Sequence, residues 1–476
     1  MLSLRKKALT GVIWSLLDKV VNQFGSLALI IYLSNILIPS DFGLIAMLAI
    51  FIAIAQSIID SGFSQALIQK SQNVTEADLS TVFYINCIVS ILLYTVFYAS
   101  IPLISDFYSE PKIVDLAKVQ FLVVIINSFA IVPRAKLAID INFKPMGIST
   151  TIATVLSSIL TIISVNNGLG YWSLVVMTIT SSLVQTVFLF IFSGWKPKLM
   201  FSLESCQRLF NFGYKLLLAG ILSTIAQNLS SLMIGRYYNS TTLGYYQQSY
   251  NYTNKISYLI SSVVQGVTYP ILTSVKEDDK RFEDIYIKVM SIITIIVFPI
   301  LIGFSAISQE FVEVFLGEQW LPIIPIVFYL SLARCFTPIS SLNMNILNAK
   351  GRSDLYLMSD LIKIPISILL LYISIPYGVE VVAFSTLVFT IISFFINAYF
   401  TGTLIDYGVR RQILQLLPII LISSLMYCST LFINLNNNVT QMLLKVFVGA
   451  MTYVLCCHFF KIKGYQNAKE ILIKRL

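Results

Sequence analysis

Charge is what this sequence has least of. Asp, Glu, Lys and Arg make up 12% of its 476 residues, against 57% apolar residues. An ordinary globular domain carries roughly 25% charged residues. At a mean hydropathy of +0.82 the chain cannot cover a water-facing surface with polar groups. That excludes the string of soluble domains its length would otherwise suggest. Histidine is nearly missing. His458 is the single one; it cannot form a metal cluster and is read as interfacial. The six cysteines, Cys87, Cys206, Cys335, Cys428, Cys456 and Cys457, form no CxxC pair and no metal-ligand spacing. They are expected to be small buried hydrophobes. The sequence also lacks a GxxxxGK[ST] loop, an HExxH or GxSxG motif and paired carboxylates at mid-membrane. ATP is therefore not expected to drive the chain directly, no cofactor or metal is expected, and the protein is not read as an enzyme.

What the sequence has instead is long apolar runs. Crossing ~30 Å of hydrocarbon takes ~20 mostly apolar helical residues, and helix is the default because lipid offers the backbone no hydrogen-bond partner. Fourteen segments qualify, from Gly11–Leu37 and Phe42–Asp60 to Gln412–Asn434 and Val439–Phe460. The basic start MLSLRKK resembles a signal peptide. The apolar run behind it is too long for a signal core and carries Asp18 and Lys19, so a retained first helix is expected.

Loop charge sets the orientation. With the amino terminus inside, 24 Lys and Arg fall in inside loops and tails, and only Lys112, Lys118 and Arg236 fall outside. This asymmetry accounts for the excess of 32 basic over 23 acidic residues without nucleic acid. Both termini are expected in the cytoplasm.

An internal repeat follows from the turns. LSNILIPSDFGLIAM ends the first span and opens the second; IGRYYNSTTLGYYQQ does the same for the seventh and eighth. Aligning Gly43 with Gly244 gives an offset of six helices, an even number, so the repeats are parallel. The expected organisation is an N-lobe over 1–200, a C-lobe over 201–402, and two accessory helices with a tail over 403–476. The connection Gly194–Phe212 is read as an amphipathic segment on the inner face.

Ionisable residues inside the spans are costly and therefore informative. They are Asp18, Lys19, Lys255, Arg334, Lys363 and Lys445. Lys445 lies near the outer end of its span, where it can snorkel to the headgroups. Lys363 can pair with Asp360 one turn earlier. Lys255 and Arg334 lie 11 and 13 residues into their spans, with no nearby escape. Asp60, Asp360 and Glu380 are read as helix-end acids, leaving Asp18 as the one acid well inside. A cationic lining, Lys19, Lys255, Arg334 and Lys363, selects an anion such as a diphosphate. Arg suits bidentate phosphate contacts, and Lys acts as a point charge. Tyr250, Asn251 and Asn254 share one helical face with Lys255 and offer groups a sugar can bond. An outer aromatic belt accounts for Tyr237 to Tyr246. Asn343, Asn345 and Asn348 form a second polar end.

Several stretches carry a resemblance: ALTGVIWSLLDKV at the start, PSDFGLIAM and IDSGFSQALIQK around the second span, FNFGYKLLLAGIL and LGYYQQSYNYTNK around the seventh and eighth, then VFLGEQWLPIIPI and ILNAKGRSDL. The ordered set resembles Wzx-type lipid-linked oligosaccharide flippases, the polysaccharide transporters of the multidrug/oligosaccharidyl-lipid/polysaccharide exporter superfamily. The resemblance implies an all-α polytopic fold of fourteen helices, two six-helix lobes in a V shape plus two accessory helices, with alternating access. It implies a polyprenyl-diphosphate-linked oligosaccharide as substrate, the bacterial inner membrane as location, and glycan polymerase machinery as a downstream partner. Coupling to a H+ or Na+ gradient would fall to Asp18. The rival reading is a multidrug/cation antiporter of the same fold, which the sign of the internal charge disfavours.

Overall fold

The computed structural model describes residues 22–69, 74–275, 277–462 and 464–466. Among them every regular element is helical. Contacts divide the chain into two compact units, Met1–Gln247 and Gln248–Leu476.

Unit 1 opens with α1 (22–34) and α2 (Pro39–Gln69), followed by α3 (Glu76–Tyr108), α4 (Ile113–Gln120) and α5 (Leu122–Ile139). Next come α6 (Phe143–Asn166), α7 (Trp172–Ser193), α8 (Leu203–Tyr237) and the first turns of α9 (Ser240–Ser274). The start of α3 shows why an element begins where it does. Thr75 accepts from the Asp78 amide, and the Asp78 carboxylate accepts from the Thr75 amide, so two otherwise unpaired donors are satisfied reciprocally. α7 ends on Gly194 at φ +60°, a left-handed position that glycine takes without strain. Outward faces are apolar, as on α7 at Leu183, Val187 and Ile191. That exposure suits a hydrocarbon solvent and no other.

The Gly194–Phe212 connection is no single amphipathic segment. Residues 194–202 are non-helical, and α8 starts at Leu203. The stretch is strapped to the foot of α3. The Trp195 indole donates to Glu76 (3.3 Å), the Lys198 amide to Ser80 (3.2 Å) and the Ser202 amide to Thr81 (3.0 Å). Arg208 then pairs with the buried Asp78 at 2.5 Å. Leu199 and Phe201 project outward at 97% and 59% exposure, beside Lys196 and Lys198, a composition suited to a headgroup layer.

The repeat has a physical counterpart. α8 packs along α2, and the first turns of α2 and α9 cross backbone to backbone. A Cβ on Gly43 would lie 1.7 Å from the Ser240 carbonyl oxygen, and one on Gly244 would lie 1.9 Å from that of Pro39. Pro39 and Ser240 stand at the same offset as Gly43 and Gly244, so the two contacts are reciprocal, as a two-fold relation between these turns requires.

Unit 2 holds most of α9, then α10 (Asp279–Ala306), α11 (Ser308–Phe315), α12 (Ile323–Cys335), α13 (Thr337–Ala349) and α14 (Ser353–Ser374). It ends with α15 (Val379–Gly402), α16 (Val409–Leu431) and α17 (Asn438–Phe459). Its core gathers Phe282, Tyr286, Met290, Phe298, Ile339 and Phe394. One polar staple runs through it. The Asn343 side-chain oxygen accepts from the Tyr286 hydroxyl (2.6 Å), Thr401 (3.1 Å) and Gln412 (3.1 Å), and its amide donates to Gln412 (3.1 Å). Asn343 is fully buried. It belongs to the core tying α10, α13, α15 and α16, not to a polar end at the inner surface.

Among the described residues eleven segments, including Pro39–Asp60, Ile113–Ile139 and Ile323–Ala349, are long and apolar enough to cross a membrane. The protein is therefore a multi-pass membrane protein. The sequence count was fourteen. Helices α8 and α9, 35 residues each, are not among the eleven counted over the described residues.

Two outcomes follow. Asn343→Ala strands three buried partners, which costs about 1–3 kcal/mol per unsatisfied group; thermal unfolding of purified protein should show a clear drop, and an unchanged midpoint would contradict the staple. Gly43→Val and Gly244→Val should each lower folded yield, whereas Gly303→Ala, whose new methyl meets Met426 at 3.6 Å, should leave it intact. Normal yield of both valine variants would contradict the close crossing.

Candidate functional site

The polar stretch of α9 sorts its side chains by face. Ser249, Tyr252, Thr253 and Ser257 are buried, with Tyr252 edge-on to Phe311 at 5.6 Å. Tyr250, Asn251, Asn254 and Lys255 are half-buried on the other side. That is the face expected of groups that meet water or a ligand at membrane depth. The aromatic-belt reading fits Tyr237, which is 63% exposed, but not Tyr246, which is 3% exposed and packed.

Arg334, on α12, is brought to this face. Its guanidinium carbon lies 4.4 Å from the centre of the Tyr250 ring, a cation–π distance. Its backbone carbonyl accepts from Ser257 at 3.2 Å, which fixes α12 against the buried side of α9. The Arg334 Nε–H is buried and has no hydrogen-bond partner among the described residues. Buried donors are normally satisfied, and a guanidinium carries five of them in a rigid fork. An anion with two or more oxygens meets that need. Tyr250 lies against the guanidinium without consuming its donors.

The other residues singled out in the sequence fall elsewhere. Lys363 on α14 is held by Asp360 at 2.7 Å and by the Asn397 side-chain oxygen at 3.2 Å, which also takes a bond from Ser359 at 2.8 Å. Its ammonium is thus engaged in tying α14 to α15. Asp18 and Lys19 lie outside the described residues. Lys445 does not snorkel. It is buried on α17, 2.5 Å from Glu310 on α11, and Gln441 donates to the same carboxylate oxygen at 2.6 Å.

Two acids were missed. Glu310 is 1% exposed, although Ser308–Trp320 reads as an outer connection by composition. The signal was a glutamate three residues into an apolar amphipathic run, SQEFVEVF. Asp60 reads as a helix end because the apolar run stops there, yet α2 continues to Gln69. Asp60 is therefore internal to its helix.

The fold is that of a multi-pass, all-helical membrane protein, with the Arg334 guanidinium lying over the Tyr250 ring in its second unit. The chain belongs to the polysaccharide biosynthesis protein family, whose model matches residues 32–325. It is 23% identical to the teichuronic acid biosynthesis protein TuaB of Bacillus subtilis (strain 168), over 99% of each chain. It is 26% identical to the lipopolysaccharide biosynthesis protein WzxC of Escherichia coli (strain K12), over 74% of this chain and 72% of that one. Among solved structures it resembles the lipid II flippase MurJ in an inward closed conformation, with a TM-score of 0.77 and 16% identity over 95% of this chain and 98% of that one. The likeness shows a MurJ-like fold.

Removing one partner of a buried ion pair leaves an uncompensated charge, at a cost of roughly 3–5 kcal/mol, whereas replacing both by apolar groups is often neutral. Lys445→Ala should therefore sharply lower the unfolding temperature in detergent, and adding Glu310→Leu should recover most of the loss. No recovery in the double variant would contradict the pairing.

Proposed function

We propose that this protein is a flippase that carries polyprenyl-diphosphate-linked oligosaccharide from the inner to the outer leaflet of the bacterial cytoplasmic membrane for cell-surface polysaccharide synthesis. The observation that carries the reading is Arg334: a buried guanidinium N–H without an acceptor among the described residues, over the Tyr250 ring. Lys255 stands one turn from Asn251 on the same open face. A diphosphate supplies the oxygens this fork lacks, and the isoprenoid tail stays in lipid. Family membership and the relatives' names support the same substrate class.

The antiporter reading needs an acid free to exchange a proton or sodium ion for a cationic drug. Glu310 is tied to Lys445 and Gln441. Asp60 takes a bond from Gln56. Neither is a lone carboxylate. Any coupling to a H+ or Na+ gradient is assigned to Asp18. Helices α1, α8 and α9 would complete fourteen spans, with both termini cytoplasmic. The lobes 1–200 and 201–402 would alternate access, and 403–476 would provide the accessory helices. Glycan polymerase machinery would consume the flipped unit.

A charge-assisted hydrogen bond is worth about 1.5–3 kcal/mol, roughly one to two decades in affinity. Arg334→Ala and Lys255→Ala should lower transport-dependent surface glycan at least about tenfold on that scale, at wild-type levels of folded protein. Arg334→Lys should rescue only in part, because an ammonium keeps the charge but loses the planar fork. Wild-type glycan in both alanine variants would overturn the assignment of the anion site.

A further inference from the structure

A second polar constellation lies in unit 1, and nothing so far uses it. It is two hydrogen-bonded runs that share α5 and together touch four membrane helices. The Asn127 amide on α5 donates to the Gln56 carbonyl on α2 at 3.0 Å. The Gln56 amide donates to Asp60 at 2.7 Å. The second run starts at Arg134, two turns along α5 from Asn127. The Arg134 guanidinium donates to Gln185 on α7 at 3.2 Å, and Gln185 donates to Thr150 on α6 at 3.1 Å.

Interhelical hydrogen bonds often serve only as glue between membrane helices. Three observations set these runs apart. All six side chains are half-buried rather than sealed. They do not face lipid. The lipid-facing stripe of α7 is Leu183, Val187 and Ile191, and that of α6 is Val155, Ile159 and Ile163; Gln185 and Thr150 lie on the opposite sides of their helices at 100° per residue. Accessible surface at this depth that is not lipid-facing is wet. Finally, valences are left over. Among the described residues Arg134 places a single donor on protein, and Asp60 accepts at a single oxygen.

The composition says what fits. One carboxylate and one guanidinium offset each other, so the surface carries little net charge. What remains is a row of planar groups, donors alternating with acceptors. Each hydroxyl is both donor and acceptor. A polyhydroxylated neutral ring satisfies such a row, whereas a phosphate or a drug cation does not. Asn127 and Arg134 are two turns apart on α5, about 10 Å at 1.5 Å per residue, long enough to meet several hydroxyls of an oligosaccharide.

We propose that this row, Gln56, Asp60, Asn127, Arg134, Gln185 and Thr150, is the sugar-recognising surface of the transporter, while Arg334 and Lys255 take the diphosphate. The inference rests on the flippase reading and deepens it. The row's share of the task is to read the glycan.

The test separates the two. Purified protein in nanodiscs is titrated with undecaprenyl diphosphate, which has no sugar, and with lipid-linked oligosaccharide extracted from membranes of the source bacterium. Folding of each variant is checked by thermal unfolding. Wild-type protein should prefer the glycosylated lipid. Asn127→Ala, Gln185→Ala and the near-isosteric Thr150→Val should each weaken binding of the glycosylated lipid roughly three- to tenfold, the worth of one neutral hydrogen bond, and leave undecaprenyl diphosphate binding unchanged. Arg334→Ala should weaken both. Unchanged preference in all three unit 1 variants, or equal weakening of both lipids, would overturn the sugar surface while leaving the flippase reading intact. Wild-type protein that binds neither lipid would overturn the flippase reading and this inference with it.

Discussion

The structure turns on the cost of a charge in hydrocarbon. An ionised side chain at the bilayer centre costs at least ~2.5–3.5 kcal/mol even on the most lenient scales, so each one needs a partner or a wet surface. The protein solves the problem in three ways. Lys445 receives a buried carboxylate. Lys363 receives a carboxylate one turn away and an amide oxygen from the next helix. Arg334 receives a tyrosine ring, which offsets part of the charge and leaves hydrogen-bond donors open. The first two solutions close an interaction. The third leaves one unfinished, and an unfinished interaction is where a ligand adds most.

The helices around these groups are held by two kinds of contact. In unit 2, one amide gathers partners from three other helices, so the Asn343 staple fixes register where apolar packing alone would permit sliding. In unit 1 the fixing device is an absence of side chain. Gly43 and Gly244 let two backbones approach to distances that any Cβ would forbid. Small residues at helix crossings are the usual means of close approach in membranes, where lipid removes the hydrophobic drive between helices. The contact is reciprocal: both copies of the turn supply a glycine to the same crossing.

Much of this was legible in the sequence. Apolar runs gave most of the spans, because their length is dictated by bilayer thickness. The offset between Gly43 and Gly244 pointed to the pair that meets in space. The placement of Arg334 beside Tyr250 was not legible, since it depends on α12 packing on α9, yet Arg334 was singled out by the cost of its charge and Tyr250 by the polar face it shares with Lys255. What stayed hidden had physical causes. Glu310 sits in an amphipathic helix too short to read as a span, and its distant partner Lys445 reveals the burial. Asp60 marks the end of an apolar run but not of its helix, because α2 outlasts the hydrophobic stretch. Asn343 looked like part of a polar end because periodicity cannot tell a wet amide from one satisfied by three buried neighbours.

The account therefore assigns two chemistries to two places: an anion-seeking fork in unit 2 and a neutral hydrogen-bonding row in unit 1. Both presuppose a lipid-linked glycan as cargo. The measurement that tests this most directly is leaflet-resolved quantification of polyprenyl-diphosphate-linked oligosaccharide in cells lacking the protein. The account predicts accumulation in the inner leaflet with loss of the surface glycan. Normal lipid-linked pools in both leaflets, with normal surface glycan in cells lacking any second copy, would contradict it.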